Sequence, residues 1–340
     1  MTKLTGGRLM AGLAEGGAPQ VTVLLPVRNG AAHLGAAVAS ILAQTLEEFE
    51  LLVVDDGSSD ATEAILTRVR DPRLRLLRQP PLGLVPALNR GLQAARGALV
   101  ARMDADDVAH PKRLARQVEA FAGRPELALV GTGWRVLTAR GAPRVVLPPA
   151  SDADIRTGMA SANVLAHPTV MYRRTAVLGV GGYRPAFLLA EDYDLWLRLL
   201  GRHAAACVPE VLLDYREHAG QSAWRDLEQR ILSEMGAQAA AACRAAGRDD
   251  QGDGTAPIDR GGLLRMGMSG QAIAAGIVAR ALGAAKAARA ARQAAPLRAA
   301  VRLGLRQPGS RVRTRIHFVL LGATAAAWSR MADAAVAQSG

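Results

Sequence analysis

Cysteine is almost missing from this 340-residue chain, which holds only Cys207 and Cys243. Two cysteines build neither a disulfide framework nor a zinc cluster, and they fit a reducing compartment. Aromatic residues amount to 4%. With so few rings to stack on bases and no recognition motif, nucleic acid is not an expected partner. No apolar run reaches the roughly 18 to 20 residues that span a bilayer; the best candidate, Phe318–Trp328, is too short. No signal peptide is expected either, because glycines and Glu15 break up the apolar residues of Met1–Gln20. Acidic residues are scarce in the last third. Arg225–Gly340 carries 17 basic residues against 8 acidic, whereas Met1–Trp224 is nearly balanced at 25 and 22, within a total of +12. The expectation is a balanced catalytic body with a basic tail that meets something anionic, such as a membrane surface.

What the chain does have is apolar content, 50% of residues with 21% charged, which is the composition of a globular protein rather than a disordered one. The first half alternates two periods. Val21–Leu25, Leu51–Val54, Leu74–Leu77 and Ala98–Met103 are short apolar runs of the kind that form buried strands. Between them, Ala31–Thr45, Ala61–Arg70 and Val85–Ala95 repeat their apolar residues at helical spacing. Such alternation predicts an α/β fold with a mostly parallel sheet flanked by helices. In sheets of that kind ligands bind beyond the carboxyl ends of the strands. Three polar or acidic loops fall there: Pro26–Gly30, Asp55–Asp60 and Asp104–Asp107. The stretch Leu127–Glu217 mixes short strands with helices at Asp152–Met159 and Glu191–Leu200, and the Ala- and Arg-rich remainder reads as mainly helical. Asp249–Pro257 reads as a linker and Gln307–Ser310 as a break between helices.

Asp104, Asp106 and Asp107 place three carboxylates within four positions. Two charges about 4 Å apart repel by roughly 4 kcal/mol at intermediate polarity, and a divalent cation relieves that repulsion. Oxygen ligands of this type suit Mg²⁺ or Mn²⁺ shared with substrate phosphates. The plainer reading is an acidic turn that favours the dipole of the helix after Pro111. Asp56, at the end of a buried strand, is placed to accept a hydrogen bond from a base or a ribose, while Ser59 or Asp60 caps the next helix.

Four segments together carry a resemblance: Leu25-Pro26-Val27-Arg28-Asn29-Gly30, Ser40-Ile41-Leu42-Ala43-Gln44-Thr45, Val53-Val54-Asp55-Asp56-Gly57-Ser58-Ser59-Asp60-Ala61-Thr62 and Met103-Asp104-Ala105-Asp106-Asp107. In order and spacing they resemble the family 2 glycosyltransferases of the GT-A fold, over roughly Gln20–Trp224. The resemblance implies a transferase domain (20–224, with a nucleotide-binding half 20–125 and an acceptor half 126–224); composition places a flexible lead-in (1–19) before it and a helical basic region (225–340) after it. It implies that Pro26, Arg28 and Asn29 line the nucleotide pocket and that Asp56 binds the base with Asp55 in support. Asp104 and Asp106 would form the DxD pair, Asp106 as direct metal ligand and Asp104 nearer the ribose or sugar.

The second half resembles the acceptor side of that family. In Glu191-Asp192-Tyr193-Asp194-Leu195-Trp196, Asp192 corresponds to the catalytic base. Inverting transfer needs one carboxylate to take the acceptor proton and a cation to hold the leaving diphosphate. Gly181-Gly182-Tyr183-Arg184 and His167-Pro168-Thr169 resemble segments flanking the acceptor site, which puts Gly182, Tyr183 and Glu191 there. Tyr215-Arg216-Glu217-His218 with Ser222 resembles the family's closing motif, with Arg216 toward the diphosphate and His218 completing the metal shell. The segment Gln221-Ser222-Ala223-Trp224-Arg225 departs from the Gln-x-x-Arg-Trp of processive members, so a single-addition enzyme is expected.

The expected activity is therefore inverting transfer from a nucleotide sugar to a glycan or lipid-linked acceptor, in cell-surface glycan synthesis. The expected location is the cytoplasm, with peripheral contact at the inner face of the plasma membrane through the basic tail. Two other readings stay open. Asp104-Ala105-Asp106-Asp107-Val108 also fits the DxDx[TV] pattern of haloacid-dehalogenase-like phosphatases, with Asp104 as nucleophile. That motif normally closes the first strand of its domain, and here two strand–helix units precede it. A non-catalytic nucleotide-binding protein of the same fold is the other reading, opposed by the presence of every acidic position.

Overall fold

The computed structural model describes residues 18–138, 143–217, 226–290 and 294–307, together with Phe318 and Leu321. They divide into two compact units. One comprises the chain through Val136 with Arg144–Tyr183 and Arg198–Tyr215; the other comprises Leu137–Pro143, Arg184–Leu197 and the chain from Arg216.

The first unit is built on strands β1 (Val21–Val27), β2 (Phe49–Asp56), β3 (Leu74–Gln79) and β4 (Leu99–Arg102), alternating with helices α1 (Leu34–Leu42), α2 (Thr62–Arg68) and α3 (Leu84–Ala94). After β4 come the two-residue strand β5 (Val108–Ala109), helix α4 (Arg113–Phe121), β6 (Leu127–Thr138), β7 (Arg144–Val146), β8 (Met171–Arg173) and β9 (Ala204–Glu217). The strands form one sheet in the order β3-β2-β1-β4-β8-β6-β9-β5, with β7 on β6. β3, β2, β1 and β4 are parallel, as the alternation of strand and helix requires. From β4 to β8 the direction reverses, and the β6–β8, β6–β7 and β5–β9 pairs are antiparallel. The fold class is the expected α/β one, with the parallel strands gathered between Val21 and Arg102.

Side-chain alternation along the strands makes two cores. Val21, Val23, Leu25, Leu51, Val53, Leu99 and Ala101 point to one face and meet Leu34, Val38 and Ile41 of α1 and Leu114, Val118 and Phe121 of α4. On the other face α3 lies close. A Cβ on Gly91 would stand 2.2 Å from Leu24 Cδ1 and 3.2 Å from Val54 Cγ2, so only glycine lets this helix sit on the sheet. The amino-terminal edge of the sheet is tied by a buried polar staple. Glu50 accepts from Thr22 Oγ1 at 2.7 Å, from Arg75 and from the Arg96 N–H at 2.7 Å. Burial alone would raise the Glu50 carboxyl, but these donors outweigh it and hold it below the usual range.

In the second unit, helices span Glu191–Leu200 through Leu197, Leu227–Ala245, Arg260–Arg265, Gly270–Ala290 and Ala294–Arg306. The last third is thus helical where it is described, as its composition predicts. The core there includes Ile231, Met235, Ile258, Leu263, Ile277, Leu297 and Ala300. Gly236 and Gly276 permit close approach to Ile258 and Met235. Among the described residues no helix is long and apolar enough to cross a membrane.

Candidate active site

Parallel pairing brings three strand ends to one edge of the sheet. Val27 is paired with Asp55 and Leu24 with Arg102, so the segments Arg28–Gly30, Asp55–Asp60 and Asp104–Asp107 all leave from the same side. The sheet order places β1 between β2 and β4. The convergence expected from the sequence is therefore made by the register of three adjacent strands.

The first two loops are stitched together by polar contacts. Asn29 takes a left-handed backbone (φ 53°), its N–H donates to Ser58 Oγ at 2.9 Å, and its Oδ1 accepts the Ser59 N–H at 2.8 Å. The Gly30 N–H reaches Thr62 Oγ1 at 2.9 Å and the Ala31 N–H reaches Asp60 Oδ2 at 3.0 Å. Asp60 also accepts the Thr62 N–H at 3.0 Å, but the N-cap position of α2 is Ala61, one residue later than expected, and Ala61 makes no side-chain cap bond. Pro26 is buried within β1, whereas Arg28 is exposed beyond its end. Asp55 and Asp56 are both buried. Asp55 accepts the Ser58 N–H at 3.0 Å. Asp56 accepts Gln79 Nε2 at 2.7 Å, the Leu82 N–H at 2.8 Å and the Gly83 N–H at 2.9 Å. The sequence reading gave Asp56 to a base. Within the fold its carboxylate also shapes the Pro80–Gly83 turn, which local pattern could not reveal because the donors lie 23 to 27 residues away.

The third loop holds the acids. One oxygen from each of Asp104, Asp106 and Asp107 lies within 4.8 Å of the others. Three hard carboxylate donors at that spacing fit Mg²⁺ or Mn²⁺. Asp104 and Asp106 are half-buried and Asp107 is buried. Arg102, 2% exposed, forms an ion pair from Nη1 to Asp104 Oδ1. Burial and the neighbouring Asp106 push the Asp104 carboxyl up, against the pull of Arg102. Arg113, wholly buried, donates to Gln117 Oε1 at 3.1 Å and to the Arg102 carbonyl at 2.7 Å. Burial pulls its guanidinium down to about 9, which leaves it charged at neutral pH, with Asp107 and Asp104 supporting the charge. Neither arginine was singled out in the sequence. The run Ala98–Met103 shows an arginine at a strand position, and that is the one signal that could have found Arg102.

The Gly182-Tyr183 segment, expected beside an acceptor, has its tyrosine ring buried. Tyr183 is 1% exposed; its N–H donates to Asn89 Oδ1 at 2.9 Å and its hydroxyl meets His167 Nε2 at 3.0 Å. Gly182 is buried with φ 72°, and a Cβ there would stand 2.7 Å from Asn89 Oδ1. These residues pack within the first unit, because the glycine pair turns the tyrosine inward. Burial, with Arg102 nearby, holds His167 well below its ordinary value, so the folded protein keeps it neutral. An unfolded histidine binds a proton near pH 6.5, so this contribution is complete above that pH. It falls by about 1.4 kcal/mol per pH unit as pH drops from there toward the folded value. The urea midpoint is expected to fall more steeply between pH 6.5 and pH 5 in the native protein than in His167→Gln. Equal slopes would deny His167 that role.

Glu191 and Asp192 open the helix Glu191–Leu200 in the second unit. Glu191 is buried, and Asp192 is half-buried with Oδ1 accepting the Tyr193 N–H at 2.7 Å. Asp194 is fully buried and takes Arg184 in a two-pronged pair, at 2.5 and 3.0 Å. Arg184 also reaches Asp250 at 3.0 Å and stacks over the Phe187 ring at 4.6 Å. Trp196 is fully buried, a core residue. Arg216 is half-buried at the end of β9. His218 lies outside the described residues, as do Gln221, Ser222 and Trp224.

A family model described as glycosyl transferase family 2 matches residues 22–178. The amylovoran biosynthesis glycosyltransferase AmsE of Erwinia amylovora is 34% identical over 188 residues, covering 54% of this chain and 70% of that protein. The O-antigen biosynthesis glycosyltransferase WbnJ of Escherichia coli is 32% identical over 206 residues, covering 58% and 80%. This chain belongs to the family 2 glycosyltransferases. The transferase is similar in fold to S. aureus TarS 1–349 in complex with UDP-GlcNAc, with a TM-score of 0.54, 17% identity and 92% coverage of each chain. It is also similar to the mannosyltransferase PcManGT of Pyrobaculum calidifontis in complex with GDP-Man and Mn²⁺, with a TM-score of 0.53, 22% identity and 92% and 86% coverage. The transferase thus has the GT-A fold, and a phosphatase reading of Asp104–Val108 loses its ground.

Proposed function

We propose that this glycosyltransferase moves a sugar from a nucleoside-diphosphate sugar to an acceptor hydroxyl with inversion, with a divalent cation, in polysaccharide or O-antigen-type surface glycan synthesis. The observation that supports it most is the oxygen-donor cluster of Asp104, Asp106 and Asp107 at the carboxyl end of β4. The relatives named for amylovoran and O-antigen biosynthesis support the product class. The complexes of TarS with UDP-GlcNAc and of PcManGT with GDP-Man and Mn²⁺ support the donor class and the cation.

Each residue then takes a role. Arg28, Asn29, Asp55 and Asp56 shape the nucleotide end, with Pro26 fixing the strand beneath. Asp106 is the direct ligand of the cation, Asp104 contacts ribose or sugar, and His218 joins the shell. When bound, the cation neutralises charge on the leaving diphosphate. Asp192 accepts the proton of the attacking hydroxyl, with Glu191 beside it and Arg216 toward the diphosphate. The division 20–224 for the catalytic domain and 225–340 for the basic region belongs to the same proposal. Contact of that region with anionic lipid would be electrostatic. In Ala294–Arg306, Leu297, Ala300 and Val301 are buried while Arg302 and Arg306 are exposed, so the apolar side is already used in packing.

A thermal-shift screen of UDP- and GDP-sugars with Mn²⁺ tests the reading. A donor at about one hundred times its Kd stabilises the fold by about 2.7 kcal/mol, a rise of several degrees. Asp106→Ala is expected to lose the Mn²⁺-dependent part of that rise. Equal stabilisation with and without Mn²⁺ in the native protein would remove the cation from the proposal.

A further inference from the structure

Asp249–Pro257 has the composition of a linker, rich in Asp and Gly, and a linker would move freely in solvent. Within the second unit it is anchored instead. Asp250 accepts Arg184 Nη1 through both carboxylate oxygens at 3.0 Å, and Arg244 of the helix Leu227–Ala245 donates to the same carboxylate. The Gly252 N–H closes back on Asp250 Oδ1 at 3.0 Å. Gly252 is buried, and a Cβ there would stand 2.2 Å from Arg184 Nη1, so a side chain would push the guanidinium out of its place. Burial alone would raise the Asp250 carboxyl, but Arg244, Arg184 and that N–H hold it below the usual range. The other two nitrogens of Arg184 go to Asp194. Arg184 thus ties the loop to the helix that opens at Glu191. A second tie reaches the neighbouring residue. Gln238 Nε2 donates to the hydroxyl of buried Tyr193 at 2.9 Å, and Arg280 Nη2 donates to Gln238 Oε1 at 2.6 Å. Ile258, just after the loop, donates its N–H to the Ala186 carbonyl at 2.8 Å and accepts Gln229 Nε2 at 3.0 Å.

We propose that the chain from Asp226 onward positions the base, with Asp250 and Gln238 as positioning residues that fix the first turn of the helix Glu191–Leu200 and so the direction in which Asp192 meets an acceptor hydroxyl. Tyr193 and Asp194 follow Asp192 directly, and they lie about 100° and 200° around the helix axis from it. Holding both from separate places, the helix Leu227–Ala245 and the loop at Asp250, stops the turn from rotating as well as from sliding. A general base must stand within about 2.6 to 3.2 Å of the oxygen it deprotonates. A misplacement of about 1 Å, caused far from the chemistry, can cost about 10²-fold in rate. The basic region, which the sequence set outside the transferase domain, thereby takes part in the reaction without touching substrate. This rests on the reading of Asp192 as base and adds what holds that carboxylate in place.

Three full-length variants test it: Asp250→Asn, Gln238→Leu, and Gly252→Ala, which displaces the Arg184 guanidinium while leaving every charge present. Hydrogen exchange needs no substrate. Each variant is expected to speed exchange of the Asp194–Leu197 amides by about tenfold or more and to leave the amides of β1 and β4 at their native rates. A residue that only supported overall stability would speed the slowest amides throughout. Native exchange rates at Asp194–Leu197 in all three variants overturn the inference. Release of UDP or GDP from UDP- and GDP-sugars with Mn²⁺, water serving as acceptor, reads the catalytic side. Each variant is expected to lower kcat by about tenfold to a hundredfold, with donor affinity by thermal shift unchanged within about twofold. In an Asp192→Asn background the same changes are expected to lower kcat no further, because a positioning residue then has no base to position. Equal losses in both backgrounds overturn the inference. If Asp192→Asn keeps the native kcat, the reading of Asp192 as base falls. If Asp192→Asn loses activity and the three variants do not, only the positioning falls.

Discussion

Asp192→Asn is expected to lower kcat by about 10²- to 10⁴-fold, the usual worth of a positioned general base, with donor affinity unchanged within about twofold. The substitution is close to isosteric. Asp192 sits in the first turn of its helix with Oδ1 on the Tyr193 N–H, and an asparagine oxygen can keep that bond. What it cannot do is accept the proton of an attacking hydroxyl. Loss should therefore fall on the chemical step and spare KM for the donor. Single-turnover transfer beside donor titration by thermal shift makes the separation. If donor binding collapses as well, Asp192 helps hold the donor and the base lies elsewhere.

The second large effect is on stability, two residues along the same helix. Asp194→Ala is expected to cost about 3 to 5 kcal/mol, the range for breaking one partner out of a buried pair. Asp194 is fully buried and binds both prongs of Arg184, which keeps Asp250 at 3.0 Å and the exposed Asp253 at 3.8 Å when that carboxylate goes. The buried guanidinium then lacks part of its compensation. Urea denaturation measures the loss. The paired change Arg184→Met with Asp194→Leu is expected to recover most of it, because an apolar pair has no charge left to desolvate. A cost below about 1 kcal/mol for Asp194→Ala would show that Asp250, itself held by Arg244, suffices to compensate Arg184. Two positions on a helix are about 200° apart around its axis. Asp192 and Asp194 therefore face different surroundings, one half-buried and one locked in a buried network.

Much of this could be read along the chain. The apolar runs Val21–Leu25 and Leu51–Val54 lie inside β1 and β2, each somewhat extended, and the helix Asp152–Met159 has its expected bounds. The parallel order was legible because strand–helix alternation leaves little choice of connection. The antiparallel reversal at β8 was not, since a three-residue strand carries almost no periodicity of its own. Tyr183 shows the limit on the site side. The resemblance set Tyr183 near the acceptor side, and the contacts with Asn89 and His167 add that its ring is turned inward.

By itself the sequence determined the α/β class, the acids at Asp55, Asp56, Asp104, Asp106 and Asp107, and the family through the spacing of its motifs. Those properties depend on residues within a few positions of one another, where strand and helix periods act. The tertiary structure alone decided which charges compensate which. Asp104 is answered by Arg102, Asp194 by Arg184, and Arg184 in turn by Asp250, 66 residues away. Electrostatic energy depends on distance through space and on burial, and neither quantity is written in the order of residues.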